Sequence, residues 1–171
     1  PLTKRGSKQA REVGTYLGRY RFSVVLCRPR QRALQTAKLA GYEKSVTIDQ
    51  NLAEWNYGGY EGLTTEEIRA DRKDWNLWRD GTPPGDATGE TPEDVNRRAQ
   101  AVLNLVTPDV KNGNDVLLIA HAHILRAIAV AWLGLPIAAG GAFTLLPATI
   151  SKLGYESGTE TMLCWNTPPC I

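Results

Sequence analysis

Short β-branched runs alternate along this chain with stretches whose apolar residues recur every three or four positions, and this alternation constrains the fold more than any other feature. Residues 23–27 (SVVLC) read as a buried strand, 46–48 (VTI) as a second brief one and 116–119 (VLLI) as a third. Ahead of the first, Thr3 is placed to cap a helix with Ala10, Val13 and Leu17 on one face. Residues 32–39 read as helical and are ended by Gly41. Residues 65–72 form another helix candidate, with Glu66 and Glu67 in its first turn, where they suit the macrodipole. The Pro- and Gly-rich stretch 80–90 is a loop. Thr91-Pro92-Glu93-Asp94 then signals a helix start, continued at helical spacing by Val95, Ala99, Val102, Leu103 and Val106. Residues 123–133 form an apolar helix stopped by Gly134 and Pro136, and late strands are expected around 143–146 or 149–155 and around 161–165.

Strands alternating with helices need crossover connections. The expected fold is therefore α/β: three layers, α/β/α, around a mainly parallel sheet. No internal repeat, low-complexity tract or linker divides the 171 residues, and the whole of 1–171 reads as a single domain.

Composition excludes several functions. With 20 Lys+Arg against 18 Asp+Glu the net charge is only +2 and the cations are scattered, which argues against a nucleic-acid or anionic-membrane partner. The longest apolar stretch, 116–119 continued by 124–136, is broken by His121, His123 and Arg126 and falls short of the roughly 20 residues a spanning helix needs. No basic-then-apolar start marks a signal peptide. Three cysteines (Cys27, Cys164 and Cys170) fit reduced thiols in a cytoplasmic protein better than a Cys164–Cys170 disulfide.

In a parallel sheet ligands bind outside the carboxyl ends of the strands, so residues that follow a strand carry the information. After Cys27 come Arg28-Pro-Arg30-Gln-Arg32, and after Ile119 come Ala120-His121-Ala122-His123, leading into a helix. Guanidinium forks and free N–H groups at a helix start both suit phosphate oxygens, and a histidine there can donate to one or move a proton. Three arginines are as well explained by a solvated face, and one histidine at a strand end is usually structural. Finding both histidines of the chain at one junction tips that balance toward chemistry. They lie two apart with no adjacent acid, which does not make a metal site, so neither metal nor cofactor is expected. The segment 52–62 (LAEWNYGGYEG) adds Glu54 beside Trp55 and Tyr57. Desolvation there is expected to raise its pKa and let it hold a proton near neutrality, although an isolated loop glutamate is usually just a surface charge.

Taken in order, PLTKRGSKQA, RPRQRALQTAKLAG, LAEWNYGGYEGLTTEEI, GETPEDVNRRA, VLLIAHAHILR and TMLCWN resemble the histidine phosphatase superfamily, whose fold is phosphoglycerate-mutase-like. The resemblance implies that Arg32 and the backbone N–H of Ala122 bind phosphate. It implies that Glu54 is the acid/base, that His121 contacts the transferring phosphoryl group, and that Tyr57 and His123 line the pocket. Arg28 stands where the family commonly has serine, and Ala122 where it commonly has glycine; Arg28 and Arg30 receive no role. The family's first strand ends in Arg-His-Gly, whose histidine becomes phosphorylated, and that motif is absent from these 171 residues. The expectation is a fragment whose nucleophile lies outside the chain, so that the chain alone does not hydrolyse phosphate esters. The implied function is a metal-independent phosphatase acting on sugar phosphates or similar small phosphorylated metabolites. Residues 62–89 hold Arg69, Arg72, Lys73 and Arg79 but not the paired arginines of the mutases. A phosphoglycerate mutase and a catalytically inactive phospho-ligand-binding homologue are the alternatives, and a homodimer is left open.

Overall fold

The computed structural model describes residues 1–83 and 88–169. Helix α1 (Lys4–Leu17) begins where Thr3 Oγ1 accepts the Gly6 N–H at 3.0 Å, and it buries Ala10, Val13 and Leu17. It lies on α2 (Gln31–Leu39) so closely that a Cβ on Gly14 would stand 2.6 Å from the Ala40 Cα. Strand β1 (Phe22–Cys27) is central in a three-stranded parallel sheet, between β2 (Val46–Ile48) and β3 (Asp115–Ile119).

The pleat sends alternate residues to opposite faces. Val24, Leu26, Val116 and Leu118 meet the main core, built on α5 (Pro92–Lys111) and α6 (Ala122–Trp132). Cys27 and Ile119 turn the other way, onto Ala33 and Ala37 of α2. Helices therefore cover both faces, as the alternating pattern requires. Strand β3 partners only β1 in the sheet, so its other edge is open among the described residues, and Val116 to Ile119 are only half-buried.

Two helices start with capping boxes. Thr64 exchanges bonds with Glu67 at the start of α3 (Thr65–Asp71), and Thr91 does the same with Asp94 at the start of α5, whose first residue is Pro92. Of the loop expected at 80–90, residues 84–87 lie outside the described residues. Asp80 closes a short helix, α4 (Leu77–Asp80), which four residues are too few to announce by periodicity.

The late strands are β4 (Ile150–Glu156) and β5 (Thr159–Thr167), joined through Ser157 and Gly158 at φ 51° and 84°. That two-residue turn of paired positive φ makes an antiparallel hairpin, separate from the parallel sheet. Of the two positions expected for the earlier strand, 149–155 is the strand. Residues 143–146 follow a 3-10 turn (Ile137–Ala142) and form none, and Phe143 instead packs edge-on against Trp165 at 5.5 Å. Among the described residues no helix is long and apolar enough to cross a membrane, and Cys27 and Cys164 are free thiols. Cys170 lies outside the described residues.

Candidate active site

The carboxyl ends of β1 and β3 are tied where the Arg28 N–H donates to the Ile119 carbonyl at 3.2 Å. Just beyond, α2 opens with Arg30 as its N-cap, Arg32 in its first turn and no acidic residue there. Two cations at the positive end of a helix are locally unfavourable. His121 is the N-cap of α6 and makes no side-chain capping bond of its own.

Glu54 supplies the cap instead. It follows a 3-10 turn (Gln50–Leu52), and its Oε1 accepts the N–H groups of Ile124 and Trp55, both at 3.1 Å. Its Oε2 accepts the His123 N–H at 3.3 Å and stands 3.4 Å from His123 Nδ1. This geometry corrects the expectation of a raised pKa. Burial does push the carboxyl upward, but the His123 ring and the two N–H groups of α6 outweigh it and hold Glu54 down at about 2. In the free chain it is a carboxylate.

His121 has its basicity lowered by burial and then by Arg28, with smaller effects of Arg32 and Arg30, against an opposing pull from Glu54. Arg32 and Glu54 thus both act on His121, at the rim where β1 and β3 end. The Ala122 N–H opens α6 beside them, while the next two N–H groups are taken by Glu54.

Tyr57 and His123 join in an aromatic wall. The Tyr57 hydroxyl lies 3.5 Å from His123 Nε2, and Trp55 and Trp78 meet the same imidazole ring at 6.5 and 5.9 Å between centroids. Burial, then Glu54 and Glu61, push the Tyr57 hydroxyl up to about 12, so it keeps its proton and remains a donor. Behind Trp78, Arg126 stacks at 4.6 Å and donates from Nε and Nη2 to the Gly140 carbonyl.

The loop bearing Glu54 is clamped from α5. Arg98 forms a two-pronged pair with Glu90 (2.7 and 2.8 Å) and donates to the carbonyls of Asn51 and Ala53, both at 2.7 Å. Glu90 also accepts from Trp55 Nε1 and from the Asn56 N–H. Sequence reasoning assigned no role to Arg98 or Arg126, whereas Trp78, expected as core or lid packing, is a buried core residue. The GETPEDVNRRA segment held the signal for Arg98, but only the fold shows what it grips.

Arginines, a histidine and a carboxylate at the carboxyl rim of a parallel α/β sheet are the groups an oxyanion site requires. The profile of the histidine phosphatase superfamily (branch 1) matches residues 1–168, and the chain belongs to that family. It is 39% identical over 166 residues to an acid phosphatase of Mycobacterium tuberculosis (strain ATCC 25618 / H37Rv), covering 94% of this chain and 77% of that one. It is 32% identical over 162 residues to the sedoheptulose 1,7-bisphosphatase of Saccharomyces cerevisiae (strain ATCC 204508 / S288c), covering 80% of this chain and 60% of that one. The solved structure of the open reading frame Rv3214 from Mycobacterium tuberculosis superimposes with a TM-score of 0.89 at 37% identity, covering 99% of this chain and 86% of that one. Relatives also include phosphoglycerate mutases.

Proposed function

We propose that the chain carries most of the active site of a phosphatase for phosphate monoesters of small metabolites, sugar phosphates or similar. Arg32 and the Ala122 N–H hold the phosphate oxygens, His121 contacts the transferring phosphoryl group, and Tyr57 and His123 line the pocket. The reading uses no metal, because guanidinium groups supply the positive charge. The observation that carries it is Glu54 seated on the first turn of α6, whose N-cap is a His121 acted on by Arg28, Arg32 and Arg30.

The nucleophile is a histidine outside these 171 residues, and the open edge of β3 beside the site gives a strand carrying it a place to pair. Its nitrogen bonds to phosphorus as the ester oxygen leaves with a proton from Glu54. Water then attacks phosphorus, breaks the N–P bond, releases inorganic phosphate and returns a proton to Glu54. Glu54 needs a proton for the first step, and a phosphate dianion beside it raises its proton affinity by like-charge repulsion.

A phosphatase is favoured over a mutase by the use made of the arginines between Gly62 and Gly89. Arg69 donates to the Trp75 carbonyl, Arg72 to the Tyr60 hydroxyl, and Arg79 pairs with Asp80. These arginines are engaged in holding the α3–α4 region together, which leaves them poorly placed to grip a second phosphate.

The 171-residue chain is expected to bind inorganic phosphate, and R32A and H121A are each expected to weaken that binding roughly 10–100-fold, the value of a charged hydrogen bond. It is expected not to hydrolyse p-nitrophenyl phosphate. Turnover by this chain that H121A leaves unchanged overturns the reading.

A further inference from the structure

We propose that Arg28, to which the family resemblance gives no role, is a second guanidinium contact for the phosphate group and fits the site to a doubly charged anion. The inference rests on the reading of this rim as a phosphate pocket.

Arg28 is only 6% exposed, a degree of burial arginine rarely reaches without a partner. Its Nε is shut off from solvent and has no acceptor among the described residues, and no ion pair there includes it. The backbone bond to Ile119 fixes Arg28 between the two strand ends. Continuing the alternation of β1, its side chain leaves on the face of Leu26, the face that meets α6.

Its electrical surroundings lack a counter-ion. Glu54 is the carboxylate that acts on it, but both Glu54 oxygens are already engaged by N–H groups of Trp55, His123 and Ile124. Arg30 and Arg32 repel it. A buried cation facing two others is costly unless an anion completes the set. Cations outnumber the carboxylate around Arg28, which favours a doubly charged anion over a singly charged one. Arginine in place of a short hydroxyl therefore changes what the pocket selects, with a rigid fork that reaches tetrahedral oxygens.

The test titrates four anions calorimetrically at pH 8 into the 171-residue chain and into R28S, R28Q, R28K and R32A. The probes are inorganic phosphate, its analogue vanadate, and the tetrahedral pair sulfate and methanesulfonate, of charge −2 and −1. R28S and R28Q are expected to weaken phosphate roughly 10–100-fold and to shrink the preference for sulfate over methanesulfonate by about tenfold, with R28K recovering part of both. R28Q keeps the stem, so it reports on the charge should R28S fail to fold. If R32A abolishes phosphate binding while R28S and R28Q leave it intact, the inference falls and the phosphatase reading stands. Equal weakening of sulfate and methanesulfonate by R28Q makes Arg28 structural and also overturns it. If the parent chain binds none of the four anions, the reading falls and takes the inference with it.

Discussion

Glu54 gains more from the ring and N–H groups around it than burial takes away, and its ionisation is therefore coupled to folding. Its carboxyl lies at about 2 in the folded chain against an ordinary 4.5. The stabilisation is fully present above the ordinary value and is lost as pH falls through the folded one; its size by linkage is about 3 kcal/mol. Urea midpoints of the native chain are expected to drop between about pH 4.5 and 2, and those of E54Q to drop distinctly less over the same window. Cys27 shows the opposite balance. It is 0% exposed, and burial pushes its thiol up to about 11 despite the charge of Arg28. Iodoacetamide at pH 8 is expected to label Cys164 in the native chain and Cys27 only in denaturant, as peptide mass mapping will show.

Between elements, the tightest approach is that of α1 to α2. G14A places a methyl against the Ala40 backbone, which cannot turn aside as a flexible side chain would. The gain in helix propensity is about 1 kcal/mol, and overpacking costs about 1–3 kcal/mol. The variant is expected to lose stability in a denaturant titration, although the same change on an exposed helix would add some. A second element-level device is the clamp from α5. R98M removes the partner of Glu90 and the donor to two carbonyls of the Glu54 loop at once. We expect a lower Tm and, on the proposed phosphatase reading, a loss in kcat exceeding the change in KM, because Arg98 holds the loop that carries Glu54.

Across the whole molecule, much of the architecture was readable in advance. Three β-branched runs became the parallel strands, and Thr3 and Thr91 became caps, because both signals are local. Helix α4 escaped because a single turn has no period, and the separate hairpin because alternation does not tell parallel from antiparallel pairing. At the site, the arginine run 28–32 and the pair His121 and His123 follow strands and Glu54 lies in a glycine-rich loop, but singling out Arg32 and Glu54 took the family resemblance. The state of Glu54 was read with the wrong sign, since its ligands lie 69 and 70 residues away on α6 and only desolvation was visible locally. The burial of Arg28 was hidden for a similar reason: three arginines in five residues look like a solvated face until the strand ends meet. The Arg98–Glu90 clamp has a wider consequence. Glu90 joins residues 88–90 to Trp55 and Asn56, which ties that segment to the loop bearing Glu54. A ligand whose alcohol half leans on residues 88–90 would thereby set the aim of the carboxylate. Discrimination among alcohols would then emerge in how fast bound esters are cleaved, while they dock almost equally well.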